Sequence, residues 1–302
     1  MTDTTTTRRF FAAQKFPAEV RMPPETGHIN MFGHRLLDPE LEGVPLPNAY
    51  QVLWDEYNKE YPPEPGRFRS IPITALDIEK GLMAELKFGD PDSSSYQNWV
   101  RHCIQLIHVV KGAMGVPAVS FYHMPPGRPQ NPDRLMAYVP NELLRELDYF
   151  FPLCYIHEDY DWENYVEYVR QVVELSDGYG VPVYPLVWGR WFNCPPYSAH
   201  QGKLIPQDHW SKILTGIMDA GAAGLALWDG TYMFWRLCDR LNDWPAFRSR
   251  FGDEMQRCET PWQYTVRVSQ NMVDVCAGVL WSETDRAQIR GLNEGGKEQS
   301  DE

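Results

Sequence analysis

Between Ser70 and Gly230 the chain repeats one unit, an apolar run followed by a stretch with apolar residues at helical spacing. The apolar runs are SIPITAL, VPAVSFY, YFFPLCYI, VPVYPLVW and GLALW. Between them stand SYQNWVRHCIQLIHVVKGAMG, NELLRELD, WENYVEYVRQVVELSDGYG and PQDHWSKILTGIMDAGAA, each read as a helix. Strands that are apolar on both faces and separated by helices belong to a parallel sheet covered by helices. Two architectures satisfy that order, an open doubly wound sheet and a closed β/α barrel. The first strand-to-helix turn lacks a Gly-rich phosphate loop, and every run ends in aromatic and polar residues, where a barrel assembles its site. The expected fold is therefore a single parallel (β/α) TIM-like barrel. Five runs are clear and the remaining candidates lie before Ser70, where GHINMFG reads as a short strand, and after Met272, so a seven-stranded or otherwise incomplete barrel is expected.

The flanks and the composition bound the rest. Residues 1–20 are Thr-rich and then basic, and read as a flexible arm that touches the body only near Phe10 and Phe11. Residues 21–283 form the barrel domain and 284–302 a polar tail. In NAYQVLWDEYNKEY, Tyr50, Leu53, Trp54 and Tyr57 have the spacing of an amphipathic helix. The 302 residues, 43% hydrophobic, suffice for one large core, and no low-complexity linker divides them. A net charge of -13 with scattered Lys and Arg argues against nucleic acid as a partner. No apolar run spans a bilayer and MTDTTTTRRF has no apolar leader core, so no membrane partner and a cytoplasmic location are expected, or a secreted or periplasmic one if a leader has been removed. Cys103, Cys154, Cys194, Cys238, Cys258 and Cys276 show no CxxC pairing or metal-ligand spacing and read as mostly reduced and buried.

The first run ends in ALDIEK, with Asp77 and Glu79 two residues apart. In an extended strand such positions share a face. Two close carboxylates repel when both are ionised, which raises the pKa of one and equips it as a general acid near neutral pH. Acids merely solvated at the end of an edge strand are the alternative. The other run ends supply Tyr122 and His123, then Tyr155, His157, Glu158 and Asp159, then Trp188, Arg190 and Trp191, and last Trp228 and Asp229, with Tyr184 inside the fourth run. Tryptophan faces stack on sugar rings, and tyrosines and carboxylates hydrogen-bond hydroxyl and acetamido groups, so the set suits a sugar site. Aromatic caps that only close the barrel are the other reading. His157, Glu158, Asp159 and Asp161 have ligand types for a divalent cation, but acids there equally cap a helix starting near Trp162. No metal or organic cofactor is expected.

Six segments in order resemble the hyaluronidase family over Gly43 to Gly230. GVPLPNAY is similar to its GVPQ-type lead-in, ALDIEK to its Asp-x-Glu strand, VSFYHMPP to its GFYxFP-type segment, FPLCYI to its PSxYL-type segment, VPVYPLVW to its PVxxY-type strand and GAAGLALWDG to its LGAxGxxxWG-type strand. Chitinase and lysozyme-like barrels share the Asp-x-Glu pair but match the last strand less well. The resemblance implies a retaining endo-β-N-acetylhexosaminidase in which the substrate's own 2-acetamido carbonyl attacks the anomeric carbon. Glu79 would protonate the leaving oxygen, Asp77 would hold the acetamido N–H, Tyr155 would position the carbonyl and Trp228 would floor the sugar. Tyr122, His123, Tyr184, Trp188, Arg190, Trp191 and Asp229 would line the substrate path. The chain departs from the family in having Ile78 between the acids and Leu186 where a second tyrosine is usual. Two other functions stay open: a two-carboxylate glycosidase pairing Glu79 with Glu158 or Asp159, and a glycan-binding barrel without turnover.

Overall fold

Among the described residues, seven short parallel strands carry the fold: β1 (Arg9–Ala12), β2 (Gly27–Phe32), β3 (Ile73–Leu76), β4 (Val119–Phe121), β5 (Leu153–Tyr155), β6 (Leu186–Trp188) and β7 (Gly224–Leu227). The computed structural model describes residues 8–13, 16–23, 26–32, 73–76, 90–114, 117–125, 139–156, 162–191 and 202–281. The strands lie side by side in the order β4, β3, β2, β1, β7, β6, β5. The chain entering β5 closes the ring against β4. Phe151 N–H donates to Met124 O at 2.7 Å, Asp148 N–H to Val119 O at 3.1 Å, and Val119 N–H to the Asp148 carboxylate at 2.8 Å. The result is a seven-stranded parallel β/α barrel.

The stretch expected to be an N-terminal arm contains the central strand, which corrects that expectation for residues 8–13. RFFA is short enough to look incidental, yet Phe10, Phe11, Ala12 and Ala13 are all buried because β1 is wedged between β2 and β7. Glycine on both neighbours makes the wedge possible. Phe11 pairs with Gly27, where a Cβ would stand 2.3 Å from the Phe11 ring, and Arg9 pairs with Gly224, where a Cβ would stand 1.9 Å from Arg9 O.

Helices fill the outside. In α1 (Ser94–Met114), Tyr96, Val100, Cys103, Ile107 and Val110 recur every three to four residues and are buried. A short α2 (Asn141–Leu144) buries Leu143 and Leu144. The next two, α3 (Trp162–Asp177) and α4 (Gln207–Asp219), meet where Gly216 lies against Val166 and Trp162. Beyond β7 come α5 (Gly230–Leu241), α6 (Trp244–Phe251) and α7 (Pro261–Leu280). The strand sought after Met272 is instead the second half of α7. Its start is a capping box, Thr260 and Gln263 bonding each other's backbone N–H, with Pro261 at the first helical position. Cys103, Cys154, Cys238 and Cys276 are buried free thiols and Cys258 is exposed; Cys194 lies outside the described residues. Among the described residues no helix is long and apolar enough to cross a membrane.

Candidate active site at the strand ends

Parallel pairing sets the C-terminal ends of all seven strands on one side, and alternation decides which residues turn inward there. Tyr155 and Trp188 close β5 and β6 as register partners, and Trp228 follows β7 directly. Their rings touch: Tyr155 and Trp188 have centroids 5.8 Å apart, Tyr155 and Trp228 5.6 Å, and Trp188 and Trp228 4.8 Å at 80°. Tyr155 and Trp188 are buried, Trp228 partly so. Beside them opens a cavity of about 430 Å³ lined by Trp188, Arg190, Trp228, Phe234, Arg250 and Phe251, together with Gly230, Thr231 and Leu237. Its volume falls in the range of small-molecule sites.

On the other side of the ring, Tyr122 follows β4 and extends the pairing with β3, its N–H donating to Leu76 O at 3.0 Å. His123 takes a left-handed backbone conformation, φ 60, that residues other than glycine seldom adopt, and turns the chain where β4 ends. Both side chains are buried, with ring centroids 6.4 Å apart. Asp77 and Glu79 follow β3 in sequence and lie outside the described residues, as do His157, Glu158, Asp159 and Asp161. Among the described residues no group of acids, histidines and cysteines could hold a metal ion.

Arg190, expected among the substrate contacts, is almost fully enclosed, only 1% exposed. Four of its five N–H groups are taken by protein: Nε by Thr231 Oγ1 at 3.2 Å, Nη1 by Gly202 O at 2.8 Å and Glu254 Oε2 at 3.0 Å, and Nη2 by the Tyr264 hydroxyl at 2.8 Å. Burial opposes its charge, but Tyr264, Glu254 and Asp229 outweigh burial and hold its pKa above the ordinary arginine value. The Tyr264 hydroxyl also bonds Glu254, and burial pushes that phenol's pKa up. Arg190 thus ties the end of β6 to α5, α7 and the turn at Glu254. Only its remaining N–H is left for a ligand.

Asp229 is likewise enclosed. Its carboxylate accepts from Thr231 N–H at 2.8 Å and from Ser269 Oγ at 2.7 Å, capping α5 and pinning it to α7. Tyr184 lies two residues before β6, at the opposite end of the barrel from Trp188, in ring contact with Phe11, Tyr149 and Phe151. Burial raises its pKa, against a lowering by nearby Arg9. Trp191 is not among the cavity's lining residues and packs against His209 of α4, ring centroids 5.9 Å apart. The structure therefore brings together Tyr155, Trp188, Trp228 and the buried face of Arg190. Phe234, Arg250 and Phe251 line the same cavity, although they sit beyond the last strand, in helices whose sequence carries no site-like pattern.

No protein-family model matches the chain, and no curated protein sequence matches it. Among solved structures, a monoclinic crystal structure of bee venom hyaluronidase is similar with 13% identity and a TM-score of 0.42, over 64% of this chain and 75% of that one. The same enzyme in complex with a hyaluronic acid tetramer is similar with 14% identity and a TM-score of 0.40, over 78% of this chain and 84% of that one.

Proposed function

We propose that this protein is a glycoside hydrolase that cleaves a glycan at an N-acetylhexosamine with retention of configuration. The observation that carries the reading is the convergence of Tyr155, Trp188 and Trp228 at the ends of three adjacent parallel strands beside an open cavity. That is where a β/α barrel builds its site, and an indole edge-on to a second indole presents an apolar face of the kind a pyranose ring stacks on. The second support is in the sequence: Asp77 and Glu79, two residues apart, follow β3 directly.

In this reading Glu79 donates its proton to the departing glycosidic oxygen as the bond to the anomeric carbon breaks. The substrate's acetamido oxygen forms the new bond to that carbon, giving a cyclic oxazolinium ion. Asp77 holds the acetamido N–H and offsets the positive charge, and Tyr155 orients the acetamido oxygen. Water then opens the ring from the vacated face, with Glu79 taking its proton. A thiazoline mimic of the cyclised sugar tests this sequence. It should bind the wild type tightly and the Asp77→Asn variant weakly. If the thiazoline fails to bind and a 2-fluoro sugar instead leaves a covalent adduct on Glu158 or Asp159, the chemistry belongs to a two-carboxylate enzyme.

A further inference from the structure

Trp188 and Trp228 are each followed at once by a buried charge, Arg190 two residues after the first and Asp229 directly after the second. Well-packed apolar groups in place of such a pair would cost a fold little, so stability is a weak account of why the charges stand there. Their bonds give a better one. Nη1 and Nη2 of Arg190 reach Gly202 O, Glu254 and the Tyr264 hydroxyl, which fasten the end of β6 to the chain entering α4, to the turn at Glu254 and to α7. Nε turns to α5 instead and donates to Thr231 Oγ1 at 3.2 Å. Thr231, itself buried, completes the link, since its backbone N–H donates to Asp229, whose other carboxylate oxygen accepts from Ser269.

The two indoles ride on the two sides of this link. Trp188 ends β6 and moves with that strand. The ring of Trp228 lies against Gly230, where a Cβ would stand 2.7 Å from it, so it moves with the first turn of α5. The rings cross at 80° with centroids 4.8 Å apart, and the bond from Arg190 to Thr231 runs from the strand that carries one to the helix that carries the other.

We infer that Thr231 is a positioning residue whose hydroxyl, by coupling the end of β6 to the start of α5, sets the crossing of Trp188 and Trp228. A charged donor makes the bond stronger than one between neutral groups, and the planar guanidinium gives its Nε–H a fixed direction, so the link constrains angle as well as distance. Thr231 acts through the indoles rather than on the ligand. That the indoles receive a sugar rests on the function proposed above; the coupling does not.

Thr231→Val tests it in the full chain, because it keeps the side chain's shape and the backbone N–H that donates to Asp229 while removing the hydroxyl. Two indoles in contact give a paired exciton band in circular dichroism, and the share owed to this pair is the share lost in Trp228→Phe. Thr231→Val should lose most of that share at a temperature where the chain is folded, and Thr231→Ser should keep it. In hydrolysis of a chito-oligosaccharide, Thr231→Val should raise KM by about five- to tenfold, within the worth of one apolar sugar face, and leave kcat within about twofold. Thr231→Ser should restore KM. If Thr231→Val does not fold, Thr231→Ala removes the same hydroxyl without crowding the site. An exciton band unchanged in Thr231→Val or Thr231→Ala, whatever happens to the melting temperature, overturns the inference, as does an equal loss in Thr231→Ser, which would assign the effect to the methyl group. A band lost in Thr231→Val from a chain that shows no turnover upholds the coupling and sinks the glycosidase, whereas turnover with the band unmoved sinks the coupling alone.

Discussion

At the N-terminal ends of β5 and β6, Tyr149, Phe151 and Tyr184 pack ring to ring with one another and with Phe11, whereas at the C-terminal ends Tyr155, Trp188 and Trp228 pack together with one side facing a cavity. Both clusters are aromatic, and Tyr184 and Trp188 stand only four residues apart at the two ends of β6, positions that by alternation share a face. What separates them is what lies next to each. Phe11 reaches the lower cluster because Gly27 makes room for its ring, so the rings there meet other rings. The upper cluster is flanked by loops and by α5 and α6, whose Phe234, Arg250 and Phe251 stand off from it. An aromatic residue at a strand end thus signals a binding site only where the neighbouring elements leave space beside it.

The contrast can be broken first at the lower end. Phe151 is fully buried, and Phe151→Ala should lower stability by about 3–5 kcal/mol, the range for a large aromatic lost from a close-packed core. Chemical denaturation would show a lower midpoint, with ligand affinity of the folded fraction unchanged. At the upper end the consequence should fall on binding. Trp228 is only partly buried, and Trp228→Ala should weaken binding of a chito-oligosaccharide by about 1–2 kcal/mol, the value of covering one apolar sugar face. A calorimetric affinity unchanged in Trp228→Ala but reduced in Phe151→Ala would reverse the assignment of the two ends.

The smallest effect belongs to a pair outside both clusters. Glu259 receives two hydrogen bonds from Arg267, at 2.8 and 2.9 Å, which together with a backbone N–H hold its pKa below the ordinary 4.5 despite partial burial. A carboxylate with a depressed folded-state pKa contributes stability above its unfolded pKa and loses it as pH falls through the folded value. Glu259→Gln should therefore cost about 1 kcal/mol at pH 7. The difference in melting temperature from wild type should persist down to about pH 5 and close below about pH 4, as the unfolded carboxylate begins to bind protons. A constant difference across that range would show that the pair contributes through packing rather than charge.

Much of the barrel is legible in the sequence because its strands are short apolar runs punctuated by helices at 3.6 spacing. Cys103, Ile107 and Val110 are core residues of α1 as their periodicity implies. β1 was hidden by brevity: four residues after a polar, basic start carry too little pattern, and the glycines that admit it lie 16 and 213 residues away from Phe11, at Gly27 and Gly224. Arg190 and Asp229 read as ligand contacts because they follow strands. Their partners, Glu254, Tyr264 and Ser269, come from the chain beyond α6, and no local spacing foretells that they would enclose those charges. The Asp229–Gly230–Thr231 turn did carry a signal, since an aspartate two residues before a threonine at a helix start is a cap.

The central claim is that acid catalysis on a glycan takes place at this end of the barrel, and turnover by Glu79→Gln on two classes of substrate tests it most directly. With an unactivated chito-oligosaccharide, kcat should fall by a factor on the order of 10² to 10⁴, the usual worth of a general acid, while binding is retained. With a nitrophenyl glycoside, whose departing oxygen hardly needs a proton, the loss should be far smaller. An equal loss on both substrates, or no loss on either, would contradict the role given to Glu79 and with it the account of the site.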